Sequence, residues 1–443
     1  MKTVSIVSLG CPKNLIDSEV MLGILEKEGY VISDKANASD IVIVNTCSFI
    51  EKSTRESVDK IVELAELKKK NKLKILIVSG CLPQKYKSSG LPAELSEVDA
   101  FVGTGNFHNI SVIIKKIISG ERLFEVASRP SFLYNDSYSR HVLTPHHYVY
   151  VKIAEGCQHR CSYCLIPQLR GAYRSREMPS IVKEIKNLSY INRLSEINLI
   201  AQDSTAYGTD IYGSRKLVEL MKKIARLKVC RWLRLMYTHP AHFDDNLIEF
   251  IRKEAKVCKY IDLPLQHIND EVLKKMGRKI TKKEIVALIQ KLRDRVPGIA
   301  VRTSFIAGFP QETEKQFNEL LEFVREMSFD RVGVFEYSRE KGTRAYALSG
   351  QVPEAVKKER FRQLMVAQQK VSAKKNRSFI GRKLEVLVDG ISEDKKVLLV
   401  RTYRDAPEID GYVLIKQGKA KSGDFLKVEI TGANAYDMTG KII

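Results

Sequence analysis

Residues 148–164 read YVYVKIAEGCQHRCSYC, an apolar, β-branched run that passes directly into three cysteines spaced C-x-x-x-C-x-x-C. The run has the character of a strand buried in a parallel sheet. Five more candidates follow: EINLIA at 196–201, WLRLMY at 232–237, KYIDLP at 259–264, IAVRTSFI at 299–306 and RVGVFEY at 331–337. Helical segments separate them, at 213–227, 244–256, 281–295 and 313–328. Repeated strand–helix alternation predicts a parallel β/α barrel, and six units instead of eight predict an incomplete one. The chemistry of such barrels lies at the carboxyl ends of their strands. Cys157, Cys161 and Cys164 therefore belong at the barrel mouth.

Upstream, residues 1–125 show the same alternation on a smaller scale, with strands expected at 3–9, 40–45 and 74–79 and helices at 15–29 and 50–70. This predicts a doubly wound α/β domain. Each strand runs into a cysteine: VSIVSLGC ends at Cys11, IVIVNTC at Cys47 and ILIVSGC at Cys81. The carboxyl ends of parallel strands gather along one sheet edge, where ligands bind, so these three distant thiols can meet. Residues 126–142 are polar and irregular and read as a linker. The barrel unit spans 143–372, with a connecting helix over 352–377. Beyond it, 375–443 carries only short strands, KLEVLVDG, KVLLVRTY, GYVLIKQG and FLKVEITG, which predict a small all-β barrel.

A chain of 443 residues has room for two to four domains. No apolar run reaches the length of a membrane span, and MKTVSIVSLGC lacks the pattern of a signal peptide. Eight cysteines without export point to metal or catalysis in a reducing compartment, and the expected location is cytoplasmic. The net charge of +21 suits a polyanionic neighbourhood such as a ribonucleoprotein, and a solvated lysine-rich surface explains it equally well. The C-terminal module is only mildly basic, with 14 basic and 10 acidic residues over 371–443, and it contains the acidic stretch DAPEID at 405–410. It does not advertise RNA binding.

Soft thiolates hold zinc or iron–sulfur clusters. A structural zinc site needs four ligands, and His159 lies inside the compact motif as a candidate fourth, so zinc stays open on spacing alone. Two triads, one of them at a barrel mouth, favour clusters. Three thiolates leave one iron of a four-iron cluster free for a substrate or cofactor.

Cys157-x-x-x-Cys161-x-Tyr163-Cys164, after a strand and within a six-unit barrel, resembles the radical S-adenosylmethionine (SAM) enzymes. The longer stretch KIAEGCQHRCSYCLIPQLRGAYRSR at 152–176 resembles the methylthiotransferases of that superfamily, as does a three-cysteine N-terminal domain before the barrel and a TRAM module after it. SLGCPKNLIDSE at 8–19, YIDLPLQHIND at 260–270 and DAPEIDG at 405–411 resemble the ribosomal-protein aspartate branch, the RimO type. The tRNA-modifying MiaB type would show Gln-Met in place of Pro12-Lys13. The acidic 405–410 stretch suits a module that meets a basic ribosomal protein.

The resemblance implies two four-iron (4Fe-4S) clusters. The one on Cys157, Cys161 and Cys164 would bind SAM and generate a 5′-deoxyadenosyl radical. The one on Cys11, Cys47 and Cys81 would hold the sulfur to be inserted, with a second SAM as methyl donor. The implied product is a β-methylthio-aspartate on the twelfth protein of the small ribosomal subunit, met free or in the assembled subunit. A low-potential electron donor is required, direct RNA contact is compatible with the charge, and no membrane is involved. The alternatives are a tRNA adenosine methylthiotransferase and, in another class, a zinc-stabilised nucleic-acid-binding protein without catalysis.

Among further positions, Gln202 and Asp203 follow the second barrel strand, where SAM contacts are expected. Arg302 is a charge in an apolar strand, to be met by the SAM carboxylate or by a structural ion pair. Gly308-Phe309-Pro310 resembles an adenine-side turn, and Gln311 stands where a glycine is expected. Gln266 and His267 should face the mouth. Arg170, Arg174 and Arg176 are read as solvated or channel-lining. Cys230 and Cys258 are read as small core residues.

Overall fold

The computed structural model describes residues 2–394 and 396–443. Its N-terminal unit is a six-stranded, all-parallel sheet: β1 (Thr3–Ser8), β2 (Val31–Ile32), β3 (Ile41–Thr46), β4 (Ile75–Gly80), β5 (Ala100–Gly103) and β6 (Leu123–Glu125), in the order β2-β1-β3-β4-β5-β6. β3 and β4 are buried throughout, as near-continuous apolar runs in a covered parallel sheet should be. The order reverses between β1 and β3, so a crevice opens beyond their carboxyl ends. Cys11 follows β1, Cys47 follows β3, and Cys81 opens the short helix Cys81–Lys85 after β4. The helix expected at 15–29 runs over Pro12–Lys27, with proline in its first turn, where a missing N–H costs nothing.

The central unit contains all six expected barrel strands: β7 (Tyr148–Lys152), β10 (Glu196–Ile200), β11 (Trp232–Leu235), β12 (Tyr260–Asp262), β13 (Ala300–Ala307) and β14 (Arg331–Glu336). They form two parallel halves, β11-β10-β7 and β12-β13-β14, joined at the bridge Leu233–Val257. A clip of β8 (Ala154–Glu155) against β9 (Arg174–Ser175) folds the cysteine loop back on itself. Ile181, Ile185, Leu220, Ile248, Ile289 and Phe317 fill the space between helices and strands. The helix Glu354–Arg377 closes the last strand's side with Leu364 and Ala367.

The C-terminal module is a closed five-stranded barrel of β15 (Lys383–Ile391), β16 (Leu398–Thr402), β17 (Val413–Ile415), β18 (Phe425–Ala433) and β19 (Met438–Ile442). It sits at the amino ends of the barrel strands, opposite the mouth. Glu196, the first residue of β10, is fully buried and accepts from Arg234 Nε (2.6 Å) and Arg401 Nη2 (2.8 Å). Arg401 also donates to Asp389 (2.5 Å), which faces His147 Nε2 at 2.8 Å.

Asp405 and Asp410 of the acidic 405–410 stretch are turned inward at this junction while Glu408 stays exposed, contrary to the expectation that the stretch faces a basic partner. Asp405 accepts from Arg331 (2.5 Å), Glu408 from the Tyr148 hydroxyl (2.6 Å) and Asp410 from the Tyr260 hydroxyl (2.8 Å). The cations that neutralise it belong to the barrel. The linker is likewise irregular but fixed. Arg140 is buried and donates to Glu19 (3.0 Å), Glu184 (2.6 Å) and the Tyr150 carbonyl (3.0 Å), tying the N-terminal helix to the barrel.

Candidate functional site: two cysteine triads at one interface

The N-terminal triad is built by close backbone approach. Gly10 has φ +92°, and a Cβ there would lie 2.6 Å from Cys47 Cβ and 3.0 Å from its Sγ, so only glycine lets Cys11 and Cys47 adjoin. Gly80, φ +96°, leaves equally little room: a Cβ would stand 2.4 Å from Asn45 Oδ1. Asn14 donates to the carbonyls of Leu9 (3.0 Å) and Thr46 (2.9 Å), pinning the loop after β1 to the end of β3. Its Oδ1 lies 3.9 Å from Cys81 Sγ.

The compact triad is clamped by the barrel. Ser162 N–H donates to the Met276 carbonyl (2.8 Å), its hydroxyl to that of Lys275 (2.8 Å), and Ala345 N–H to the Ser162 carbonyl (2.8 Å). Backbone N–H groups point at the sulfurs, His159 at Cys157 Sγ (3.4 Å) and Ile166 at Cys164 Sγ (3.5 Å). The segments that carry the two triads pack together: Cys81 lies against Leu165 and Leu169, which follow Cys164.

Burial pushes the Cys81 and Cys157 thiols up to about 12 and raises those of Cys47 and Cys164 as well. Such thiolates need a cation beside them. Arg170 pulls Cys81 and Cys47 down, and N–H groups do so for Cys157 and Cys164. Soft, half-buried to buried donors with positive charge and N–H dipoles around them fit anionic iron–sulfur clusters.

Beside the N-terminal triad lies a balanced charge group that the sequence did not reveal. Lys152 donates to Asp17 and Glu155, each at 2.6 Å. Arg170 donates to Asp17 (2.5 Å) and Glu155 (3.3 Å) and to Asn14. Burial alone would raise the Glu155 carboxyl, but the two cations hold it well below the usual range. Arg170 and Arg176 are thus buried, not solvated. Arg176 is locked against Glu184 and the Tyr134 hydroxyl (2.9 Å). Only Arg174 keeps open surface. It lines a groove of about 530 Å³ beside the Cys81 helix, together with Lys87, Arg129 and Lys341.

Gln202 donates to Glu155 (2.5 Å), and its Oε1 is buried without a partner, as a ligand-facing group would be. Asp203 caps the turn after β10 through the N–H groups of Thr205 (3.0 Å) and Ala206 (3.2 Å). Its other oxygen accepts from His159 Nε2 (2.7 Å) and faces His242 Nδ1 (2.9 Å). His159 stacks on His239 with ring centroids 4.2 Å apart. This ring trio fixes the cysteine loop.

Arg302 is the third residue of β13, short of the mouth, and pairs with Asp262 (2.8 Å) and Asp410 (3.6 Å). That is the structural ion pair. The Gly308 N–H is taken by Glu312 (3.1 Å) and its Cα face is covered by Lys357. Glu312 also binds Arg360 (2.8 Å) and faces His267 Nε2 at 3.4 Å, so the fully buried His267 belongs to a turn-holding cluster. Gln266 has φ +73° and bridges to β13 at Phe305. Gln311 takes φ +65°, the left-handed turn for which glycine was expected. Cys230 and Cys258 are core residues, both pushed up to about 12 by burial.

Family models match three parts of the chain: the uncharacterized protein family UPF0004 at 3–103, the radical SAM superfamily at 151–324 and the TRAM domain at 380–443. The chain is similar to the ribosomal protein uS12 methylthiotransferase RimO of Geotalea uraniireducens, 48% identical over 99% of this chain and 98% of that protein. It is 46% identical to the protein of the same name from a Thermoanaerobacter species, over 100% of both. Among solved structures it resembles the radical SAM methyltransferase TsrM from Kitasatospora setae, with TM-score 0.54 and 17% identity over 76% of this chain and 73% of that one. The cobalamin-dependent radical SAM enzyme OxsB gives 0.51 and 13% over 84% and 56%. These two likenesses carry the fold alone. No helix among the described residues is long and apolar enough to cross a membrane. Full-length identity near one half, with both triads in place, makes this chain an enzyme of the radical SAM methylthiotransferases, and it belongs to the RimO family of ribosomal protein uS12 methylthiotransferases.

Proposed function

We propose that this enzyme adds a methylthio group to the β-carbon of an aspartate in the twelfth protein of the small ribosomal subunit. The carrying observation is that the segments bearing two three-thiol sites pack together, Cys81 against Leu165 and Leu169, on a chain similar over its whole length to enzymes named for that substrate. Residues 1–125 form the unit that holds the auxiliary cluster on Cys11, Cys47 and Cys81. Residues 143–372 form the radical SAM core with Cys157, Cys161 and Cys164, 126–142 join the two, and 375–443 are the TRAM module. When bound, the two 4Fe-4S clusters and SAM supply one-electron cleavage of the sulfonium, hydrogen abstraction from an unactivated carbon, the inserted sulfur and the methyl group.

The chain's own residues hold and shield this chemistry. The Lys152–Asp17–Arg170–Glu155 group locks the N-terminal unit over the barrel mouth and keeps the interface dry and charge-balanced. The Asp203 histidine cluster fixes the cysteine loop. The orphaned Gln202 Oε1 is a SAM contact, and Gly308, packed on Lys357, holds the turn after β13 narrow. Lys87, Arg129, Arg174 and Lys341 form a cationic groove beside both triads, suited to an acidic low-potential electron donor. Mass spectrometry of ribosomal proteins and tRNA, after incubation of both with reconstituted enzyme, SAM and a reductant, tests the reading. A gain of one methylthio group on the ribosomal protein supports it. Modification of tRNA with the protein unchanged would overturn it.

A further inference from the structure

Lys13 is a cation at the interface that has no acidic partner among the described residues. It is 7% exposed, yet its ammonium makes no hydrogen bond or ion pair with any described residue. It lies over the Tyr237 ring, 2.9 Å from the centroid. Its neighbours Lys152 and Arg170 are committed to Asp17 and Glu155, and Arg302 to Asp262 and Asp410.

The placement is a built one. Lys13 follows Cys11 by two residues, and Asp262, Glu155 and Arg170, drawn from both sides of the interface, stand around it. Tyr237, just past the carboxyl end of β11, takes φ +57°, a left-handed conformation that a bulky residue adopts only when its surroundings impose it. Its N–H is held by Asp262 at 3.0 Å. The strained turn presents the ring as a platform under the ammonium. An aromatic face weakly satisfies a cation and leaves its hydrogen-bonding protons available. The carboxylates of Asp262 and Glu155 near it are already paired with Arg302 and with Lys152 and Arg170, so the ammonium keeps donors free to meet an incoming anion.

We infer that Lys13 is the substrate-binding residue that receives the side-chain carboxylate of the target aspartate and holds its β-carbon between the two triads. This rests on the ribosomal-protein reading above and deepens it. An aspartate carboxylate is compact and anionic, and a compact ammonium suits it. A buried charge on one side should reject the neutral asparagine side chain strongly, because the site's charge is then left unpaired.

The test uses reconstituted full-length enzyme as wild type, Lys13→Met and Lys13→Arg, with the twelfth small-subunit ribosomal protein carrying either aspartate or asparagine at the modified residue. Iron content is measured first, then binding of both proteins by fluorescence anisotropy, then KM and SAM consumption. Wild type should prefer the aspartate protein by about 100-fold, equivalent to about 2.8 kcal/mol. Lys13→Met should keep its iron, lose that preference to within about threefold, and cleave SAM without transferring the methylthio group. Lys13→Arg should retain part of the preference. Lys13→Met with an unchanged preference, or with the iron of the N-terminal triad lost, would overturn the role of Lys13. A wild type that shows no preference for aspartate would instead overturn the substrate reading.

Discussion

Arg170→Met removes one of two cations from a closed group of four, and the consequence follows from charge balance. Asp17, Glu155, Lys152 and Arg170 have side chains only 2–6% exposed, and together they are neutral. Methionine keeps much of the volume but leaves two carboxylates sharing Lys152, a net buried negative charge. Breaking a buried pair from one side costs about 3–5 kcal/mol, roughly two to three and a half decades in the constant for opening the interface. Arg170→Lys should fall between, because it keeps the charge and loses the fork that spans Asp17, Glu155 and Asn14. Adding Asp17→Asn to Arg170→Met restores neutrality, so the double variant should recover about 1–2 kcal/mol, although Asp17→Asn alone destabilises. Native-state hydrogen exchange on peptides covering 12–27 and 166–176 reads the opening directly. Protection in Arg170→Met within about 1 kcal/mol of wild type, or a double variant no better than the single, would refute the charge-balance reasoning.

Gly10→Ala should fold but lose the N-terminal cluster, because its Cβ would sit 2.6 Å from Cys47 Cβ; iron should fall to about half, and retention of all of it would refute the close-approach argument. Gln311→Gly should raise stability by about 1 kcal/mol by relieving the φ of +65°, seen as an upward shift in thermal midpoint. Burial alone would raise the carboxyls of Glu184, Glu196 and Asp389, but arginine partners for the two glutamates, and His147 with Arg401 for Asp389, outweigh it, and they stay depressed in the folded chain. The unfolded chain therefore binds these protons more readily. The stability they contribute is complete above about pH 5 and is lost as pH falls through the range below about 4. Thermal midpoints measured from pH 7 downward should be flat and then fall; a midpoint that rises on acidification would contradict the assignment.

The parts of the fold legible in sequence are those where burial imposes a continuous apolar pattern. Five of the six barrel strands are buried parallel strands, and the half-buried sixth, Arg331–Glu336, still reads as an apolar run. The strands leading to Cys11, Cys47 and Cys81 do too. Val31–Ile32, Ala100–Gly103 and Leu123–Glu125 were missed because two to four residues cannot display a period. Met438–Ile442 was missed because MTGKI is mostly polar and gains its strand character by pairing with β17 and β18. Charged residues were the least legible. Arg170 reads as a loop arginine until the fold brings Asp17, 153 positions earlier, against it. The inward turn of Asp405 and Asp410 depends in the same way on Arg331 and Arg302 of another unit. A signal was available in the helix at 12–27, whose Lys13, Asp17 and Glu19 lie among residues such as Ile16 and Val20, all of them buried. A helix buried on every side that still carries charges marks an interface or a site.

The central claim is that two cysteine triads each hold a cluster at one shared interface. Iron and sulfide analysis of the reconstituted protein tests it most directly, made on wild type and on triple Cys→Ala variants of each triad. The account predicts about eight irons for wild type and about four for either variant. All of the iron retained after loss of Cys157, Cys161 and Cys164, or a wild type that binds zinc instead of iron, would contradict it.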